Sequence, residues 1–444
     1  MRRLAVIVQL LFASLLFGAA PAAAVHSSRR PAVHKTRRPA THKARRAACQ
    51  RKSRTHQKKG AKAKKRCRRA SHGTRDAGPA ATGPLIVGLN ADVSGYGGAS
   101  TAARLDQVVS QTGTKWLREE FRWAVIEPQP GVFSFSYYDH FMTQAALGGE
   151  HVLAMLDDTP SWAGPGVTAI PGDPSGYAAF VAAVIDRYGP QGTFWAQHPR
   201  LAGSGSAVRT IEIWNEPFFS SGNNGWYDPA RYARLVQAAG IAAHAADPSV
   251  KVLMAAEMES ARNARGNWIW WVNALYQAVP GLNNYFDGVA MHDYGTNTST
   301  LNPMIYGRPY GNYDHMLRIE NLRGQFVSHG AAGKPFWITE AGWSTCAQPS
   351  TDCVTQDEQA ANLSTLFNDI HTAWGNWVQA VFVYRYGDGS DPTSVQGGYG
   401  LTNLNGTPKP ALTVFRAAAM ASAGAERDRR IRPAARARTS SNSR

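Results

Sequence analysis

Eight short apolar runs, with helical stretches between them, set what residues 84–423 can fold into. The runs cover 85–90, 115–119, 151–157, 210–216, 251–257, 286–294, 335–340 and 378–386. Stretches of helical character lie at 175–188, 229–246, 267–279 and 356–374. Strand–helix alternation repeated eight times predicts an α/β chain closed into a single (β/α)8 barrel. Continuously apolar runs such as Val152-Leu153-Ala154-Met155-Leu156 suit a parallel sheet covered on both faces. The competing open, doubly wound sheet calls for a Gly-rich phosphate loop after its first strand. Gly88-Leu89-Asn90-Ala91-Asp92 is not such a loop.

The ends of the chain obey different rules. The formal charge of +17 suggests a nucleic-acid binder until it is divided by position. Residues 25–76 carry 20 Lys/Arg against the single acid Asp76, and residues 426–444 carry seven Arg against two acids. Residues 77–425 then hold 19 basic and 28 acidic side chains, so the predicted barrel is acidic. Residues 1–24 read as a secretory signal: Arg2-Arg3, an apolar run from Leu4 to Phe17, and Ala22-Ala23-Ala24 as a cleavage site. An uncleaved anchor is the alternative reading, because the run falls a little short of a membrane span. No later segment is apolar enough to cross a membrane. Residues 25–83 contain the near-repeat Arg29-Arg30-Pro31-Ala32-Val33-His34-Lys35-Thr36 and Arg37-Arg38-Pro39-Ala40-Thr41-His42-Lys43-Ala44. With almost no large apolar residues they bury too little to offset chain entropy, so a disordered polycation is expected. Residues 424–444 are expected to form a second disordered basic tail. Such ends suit an anionic cell-wall or extracellular polymer, and a solubilising spacer is the plainer alternative. The acidic barrel speaks against specific nucleic-acid binding as the main role.

Four of the strand-like runs end in glutamate, and two of those glutamates, Glu216 and Glu340, stand among tryptophans. Ile211-Glu212-Ile213-Trp214-Asn215-Glu216-Pro217 brings Glu216 to a strand end that Pro217 terminates by removing a backbone donor. Phe336-Trp337-Ile338-Thr339-Glu340-Ala341-Gly342-Trp343 repeats the design at Glu340. In a barrel of this kind, groups at strand carboxyl ends gather at one mouth. A pair of glutamates ringed by tryptophans there points to two-carboxylate chemistry on a sugar. Other polar strand ends are Arg118, Asp157 and Asp158, Glu257, His292 and Tyr294, and Tyr384 and Arg385.

At this point the sequence resembles the clan A retaining glycoside hydrolases, the superfamily of cellulases, mannanases and β-xylosidases. The matching residues are Asn215-Glu216-Pro217, Glu340, Trp116-Leu117-Arg118, Trp123 through Ile126-Glu127-Pro128 to Gly131, and Thr159-Pro160-Ser161-Trp162. Tyr399-Gly400-Leu401 and Pro408-Lys409-Pro410-Ala411 also match. Family thirty-nine, with its β-xylosidase-like and exopolysaccharide-degrading members, is the nearer branch, and the cellulase-like family five follows. The resemblance spans about 84–420 and excludes the basic ends.

The resemblance implies an enzyme cleaving O-glycosidic, β-configured bonds of a poly- or oligosaccharide by double displacement. Glu340 would be the nucleophile and Glu216 the acid/base. Arg118 and Tyr294 are expected to hold Glu340 as the anion, and Trp214 with the nearby negative charge to raise the pKa of Glu216. Asn215 would meet the sugar 2-hydroxyl. For His292, orienting the donor sugar or Glu216 and a purely structural hydrogen bond stand as equal readings. Trp162, Trp226 and Trp343 are expected to stack on pyranose rings, and at least one of Trp268, Trp270 and Trp271 to be core. Clan members often place tryptophan at the end of strand eight, where this chain has Val383-Tyr384-Arg385-Tyr386. Tyr384 is then a candidate for the donor floor. Arg385 would either favour a uronic acid or pair with a neighbouring carboxylate.

Cys346 and Cys353 bracket a short polar loop, and in an exported protein they are expected to form a disulfide. Whether Cys49 and Cys67 pair is open. The sequence shows no metal-ligand cluster, phosphate loop or Ser-His-Asp order, so no cofactor is expected. A monomer is expected, secreted and held near the cell wall. A catalytically silent polysaccharide-binding barrel is the alternative from a different class, and loss of either glutamate would have favoured it.

Overall fold

The computed structural model describes residues 83–93, 99–218, 228–256, 260–262, 268–294, 318–347 and 353–441. Expectations for the signal, for the N-terminal polycation with Cys49 and Cys67, and for Trp226 and Glu257 lie outside the described residues.

Eight parallel strands close into a barrel. They are β1 (Ile86–Asn90), β2 (Trp116–Arg122), β3 (His151–Asp157), β4 (Thr210–Ile213), β5 (Lys251–Ala255), β6 (Gly288–His292), β7 (Phe336–Ala341) and β8 (Val378–Tyr384). Each pairs with its chain neighbours, and β1 closes the ring on β8 with Gly88 opposite Phe382. Helices follow each strand: α1 (Ala99–Thr112), α2 (Ser136–Gly148), α3 (Ser175–Tyr188), α4 (Pro229–Ala246), α5 (Trp271–Ala278), α6 (Arg318–Ser328), α7 (Gln356–Asp369) and α8 (Pro410–Ser441).

Local chemistry explains these helices. α3 buries Tyr177, Phe180, Val181, Val184, Ile185 and Tyr188, the stripe that a 3.6-residue period lays on one face. α4 begins with Asp228 accepting from the Arg231 amide at 2.9 Å and with Pro229 pre-set for the first turn. α7 starts with a reciprocal capping box between Thr355 and Glu358. Two boundaries differ from expectation. The run 267–279 divides into the strand Trp268–Trp270, which pairs with Ser260–Arg262 in a short antiparallel ribbon, and then α5. α7 changes to a wider π turn over Ile370–Trp374.

Two apolar layers hold the barrel together. The larger lies between strands and helices. The smaller fills the interior with Leu153, Leu253, Ala290, Trp337, Ala380 and Phe382. A Cβ on Gly88 would come within 2.3 Å of the Phe382 ring, so only glycine lets that phenylalanine enter the barrel. Among the described residues no helix is long and apolar enough to cross a membrane. Cys346 and Cys353 are disulfide-bonded, with Cα atoms 5.3 Å apart.

Candidate active site

Inward-facing polar side chains sit on the strands directly above the apolar plug. Arg118 on β2 organises them. Its Nε donates to Glu212 Oε2 at 2.6 Å and its Nη1 to Glu340 Oε1 at 2.7 Å. Nη1 also donates to Asn90 Oδ1 at 3.0 Å, and Nη2 to Asn215 Oδ1 at 3.0 Å. Glu212 is fully buried and takes a further hydrogen bond from Thr339 Oγ1 at 3.0 Å. Asn90 donates through Nδ2 to the Thr339 carbonyl at 3.0 Å, tying β1 to β7. One planar guanidinium therefore fixes four side chains carried by three strands and their ends, β1, β4 and β7, which a lysine point charge could not do.

Glu340 lies on β7 and is 8 % exposed. One of its oxygens faces Arg118, and the other accepts from the Tyr294 hydroxyl. Glu216 does not end a strand as expected. β4 stops at Ile213, and the chain then steps through Trp214 and Glu216 with left-handed φ values of 67° and 42°. Non-glycine residues rarely adopt this conformation. The step turns Glu216 toward His292, whose Nδ1 lies 2.7 Å from Glu216 Oε1. His292 Nε2 sits 3.5 Å from Glu340 Oε1. One oxygen of each glutamate and one His292 ring nitrogen all fall within 4.8 Å of one another.

The electrostatics follow from these contacts. Burial works to strip the charge from His292, but Glu340 and the hydrogen bond to Glu216 outweigh it and hold the imidazole above its ordinary value. Burial raises the Tyr294 phenol well above the usual range, and the Glu340 charge adds to this. Tyr294 therefore stays a neutral donor. For Arg118, burial is overcome by Glu212 and Glu340, which lock its charge in place. Glu216, His292 and Glu340 have the spacing of a metal triad, yet Arg118 Nη2 lies 3.5 Å from His292 Nε2 and occupies the region with fixed positive charge. The donor set suits a proton and a polar substrate better than a cation.

The remaining candidates divide. Tyr384 joins the wall of the site: its ring stands edge-on to Tyr294 at 6.0 Å, and Tyr399 packs on both. Arg385 is tied back to its own segment, donating to the Gly387 carbonyl at 2.9 Å and to the Tyr384 hydroxyl at 3.4 Å. Trp343 is corrected. It is 2 % exposed, so its ring belongs to the core and cannot present a face to a sugar. Trp162 is partly buried, edge-on to Trp123 at 5.3 Å, and donates to the Glu127 carbonyl at 3.0 Å. Trp123 in turn donates to Glu127 Oε2 at 2.7 Å, and the Gly131 amide to Glu127 Oε1 at 2.7 Å. The Trp123-to-Gly131 motif thus braces a loop, with Trp162 as part of the brace. The Trp214 ring packs on Tyr177. Trp271 is core at 2 % exposure, whereas Trp270 is 42 % exposed.

Asn90, Glu212 and Thr339 were not singled out from sequence. Glu212 did leave a signal. A carboxylate between Ile211 and Ile213, in phase with an inward arginine on a nearby strand, needs a buried partner. Asn90 and Thr339 gave none, because single polar residues in apolar strands are common.

No protein-family model matches the chain, and no curated protein matches it. Solved structures do. A family 39 glycoside hydrolase from the gut symbiont Bacteroides cellulosilyticus WH2 superposes with a TM-score of 0.56 at 17 % identity, over 77 % of this chain and 64 % of that one. The GH39 enzyme from Xanthomonas axonopodis pv. citri gives 0.52 at 19 %, over 76 % and 66 %. A GH39 β-xylosidase from Caulobacter crescentus gives 0.52 at 21 %, over 77 % and 72 %. The chain therefore spans just under two thirds of the first two of these structures. It has the closed (β/α)8 fold found in family 39 glycoside hydrolases of clan A.

Proposed function

We propose that this chain is an exported retaining glycoside hydrolase, related to family 39, that cleaves β-linked O-glycosides of a poly- or oligosaccharide. The observation that carries the reading is the pairing of Glu216 and Glu340 within 4.8 Å across the barrel mouth, each in a different hydrogen-bonding environment. Carboxyl groups about 5–5.5 Å apart suit direct attack, whereas inverting enzymes need roughly 6.5–9.5 Å to admit a water.

Glu340, held as an anion by Arg118 and Tyr294, attacks the anomeric carbon, and the bond to the leaving oxygen breaks. The Glu216–His292 pair shares a proton across its 2.7 Å contact, and Glu216 delivers that proton to the leaving oxygen. Water then attacks the glycosyl-enzyme, its proton returns to Glu216, and Glu340 is released. Asn215, with its oxygen fixed by Arg118, keeps its amide N–H groups for the sugar 2-hydroxyl. Export rests on the leader sequence, and retention at an anionic wall polymer on the 20 basic residues between 25 and 76.

The test is release of 4-nitrophenol from a panel of aryl β-glycosides and uronides. Glu340→Ala should be inactive. Glu216→Ala should still react with substrates bearing good leaving groups, and azide should restore its turnover as the β-glycosyl azide. An α-azide product would overturn retention. Silence on the panel and on polymers would favour a barrel that only binds polysaccharide. Retention on anionic polymer should fall with salt and disappear when residues 25–76 are deleted.

A further inference from the structure

β2 and β3 carry a second group of carboxylates that the chemistry above does not use. Glu120 lies two residues beyond Arg118 on β2, so it shares the inward face one step nearer the mouth. Asp157 ends β3 opposite Arg122 in the parallel register, and Asp158 follows with a left-handed φ of 64°. One oxygen from each of Glu120, Asp157 and Asp158 lies within 4.8 Å of the other two. Acidic clusters are common, and this one is set apart by Asp157. That residue is 7 % exposed, and its Oδ1 is buried without a hydrogen-bond partner. The Asp157 carboxyl hydrogen-bonds Glu120 within the cluster, and its Oδ1 receives no donor from the rest of the protein.

The surroundings sharpen the deficit. Burial first, and then the charges of Glu120 and Asp158, push the Asp157 carboxyl well above its ordinary range. Burial and Asp158 raise Glu120 in the same way, with Asp92 adding a further negative charge. Arg122 is the facing counter-charge, its Nε 4.0 Å from Glu120 Oε2, and Arg118 acts on Asp157 from the layer below. Arg122 offsets one charge of three.

We propose that Glu120, Asp157 and Asp158 form a divalent-cation site at the barrel mouth, with calcium as its ion. Three carboxylates and no nitrogen or sulfur donor select a hard cation. Calcium holds oxygens at about 2.3–2.6 Å in flexible geometry, so ligand oxygens up to roughly 5 Å apart fit around it. Magnesium requires about 2.0–2.1 Å and a near-ideal octahedron, and it usually keeps several of its waters rather than enter a cage of protein carboxylates. Water completes the shell on the open side. The ion supplies the positive partner that Asp157 Oδ1 lacks and displaces the proton that otherwise keeps the cluster tolerable. The proposal stands independently of the sugar chemistry.

The experiment is calorimetric titration of chelator-stripped full-length protein with calcium chloride and with magnesium chloride, alongside thermal unfolding. One saturable calcium site and a higher Tm are expected, with a weaker response to magnesium. Asp157→Asn and Glu120→Gln should each weaken calcium binding at least about tenfold, since affinity follows ligand charge. Their Tm without calcium should equal or exceed that of the parent, because repulsion has been removed. Asp158→Asn serves if either variant fails to fold. Affinity should fall as pH is lowered and protons compete. No heat and no Tm change up to about 10 mM calcium would overturn the site, as would an undiminished response in Asp157→Asn. Calcium silence with a raised KM for an aryl glycoside in Asp157→Asn would assign the cluster to sugar hydroxyls instead.

Discussion

Two groups of carboxylates share one barrel mouth and are solvated by the protein in opposite ways. Glu340 and Glu212 are surrounded by donors from Arg118, Tyr294 and Thr339. Glu120, Asp157 and Asp158 face mainly each other, with Arg122 as a distant counter-charge. Burial is similar at the heart of both: Glu340 is 8 % exposed and Asp157 is 7 % exposed. What differs is the supply of N–H and O–H groups. A buried carboxylate keeps its charge when the fold provides donors and gives it up when it does not. Readiness to react and readiness to take up a cation or proton are thus set within one ring of strands.

The comparison breaks most severely at Glu340. Glu340→Ala should lower turnover of an aryl glycoside on the order of 10⁴-fold or more, measured as initial rate under saturating substrate. Next comes Arg118→Ala, which leaves Glu212 buried without its ionic partner. Stability should fall by about 3–5 kcal/mol, read as a drop in the urea midpoint at unchanged slope. Tyr294→Phe removes one donor from Glu340 and should reduce kcat by roughly 10²-fold with little change in fold, since the ring still packs on Tyr384 and Tyr399.

Smaller effects concern protons. The His292 pKa is raised above its ordinary 6.5 in the folded state. Its stabilisation is therefore complete below about pH 6.5 and is lost as pH rises through the higher folded value. His292→Gln should flatten the decline of stability on that alkaline side, as seen in Tm measured from pH 6 to 9. Asp157 works in the other direction. Its raised carboxyl favours the fold least once pH exceeds that raised value, so Asp157→Asn should stabilise the calcium-free protein at neutral pH by roughly 1 kcal/mol. A loss of stability there would show that the two groups are solvated alike.

The sequence displayed the barrel well because periodicity and apolar runs are local properties. The limits of α3 and α4 match the patterned stretches 175–188 and 229–246. Glu216, Glu340, Arg118, His292 and Tyr294 were all marked by position near strand ends, and the fold brings them together. Orientation was harder to read. Trp162 follows strand three and Trp343 strand seven, each placed as a stacking platform would be, yet the Trp343 ring is core, while Trp162 is partly buried and donates to the Glu127 carbonyl. Which way an indole turns depends on partners far along the chain, such as Gly176 beside both Trp123 and Trp162. The turn after Ile213 was hidden for a related reason. Left-handed φ at Trp214 and Glu216 is imposed by the assembled site and contradicts the local preference of those residues.

The plug of Leu153, Trp337 and Phe382 beneath Arg118 has a kinetic consequence. It makes the barrel a cup with a closed base. Under the proposed glycosidase function, a sugar that enters at the strand carboxyl ends must leave by the same opening, and the water that completes the reaction must pass the departing leaving group. Traffic in the two directions therefore competes. Products that linger will compete with fresh substrate, and an alcohol waiting at the rim can take the place of water.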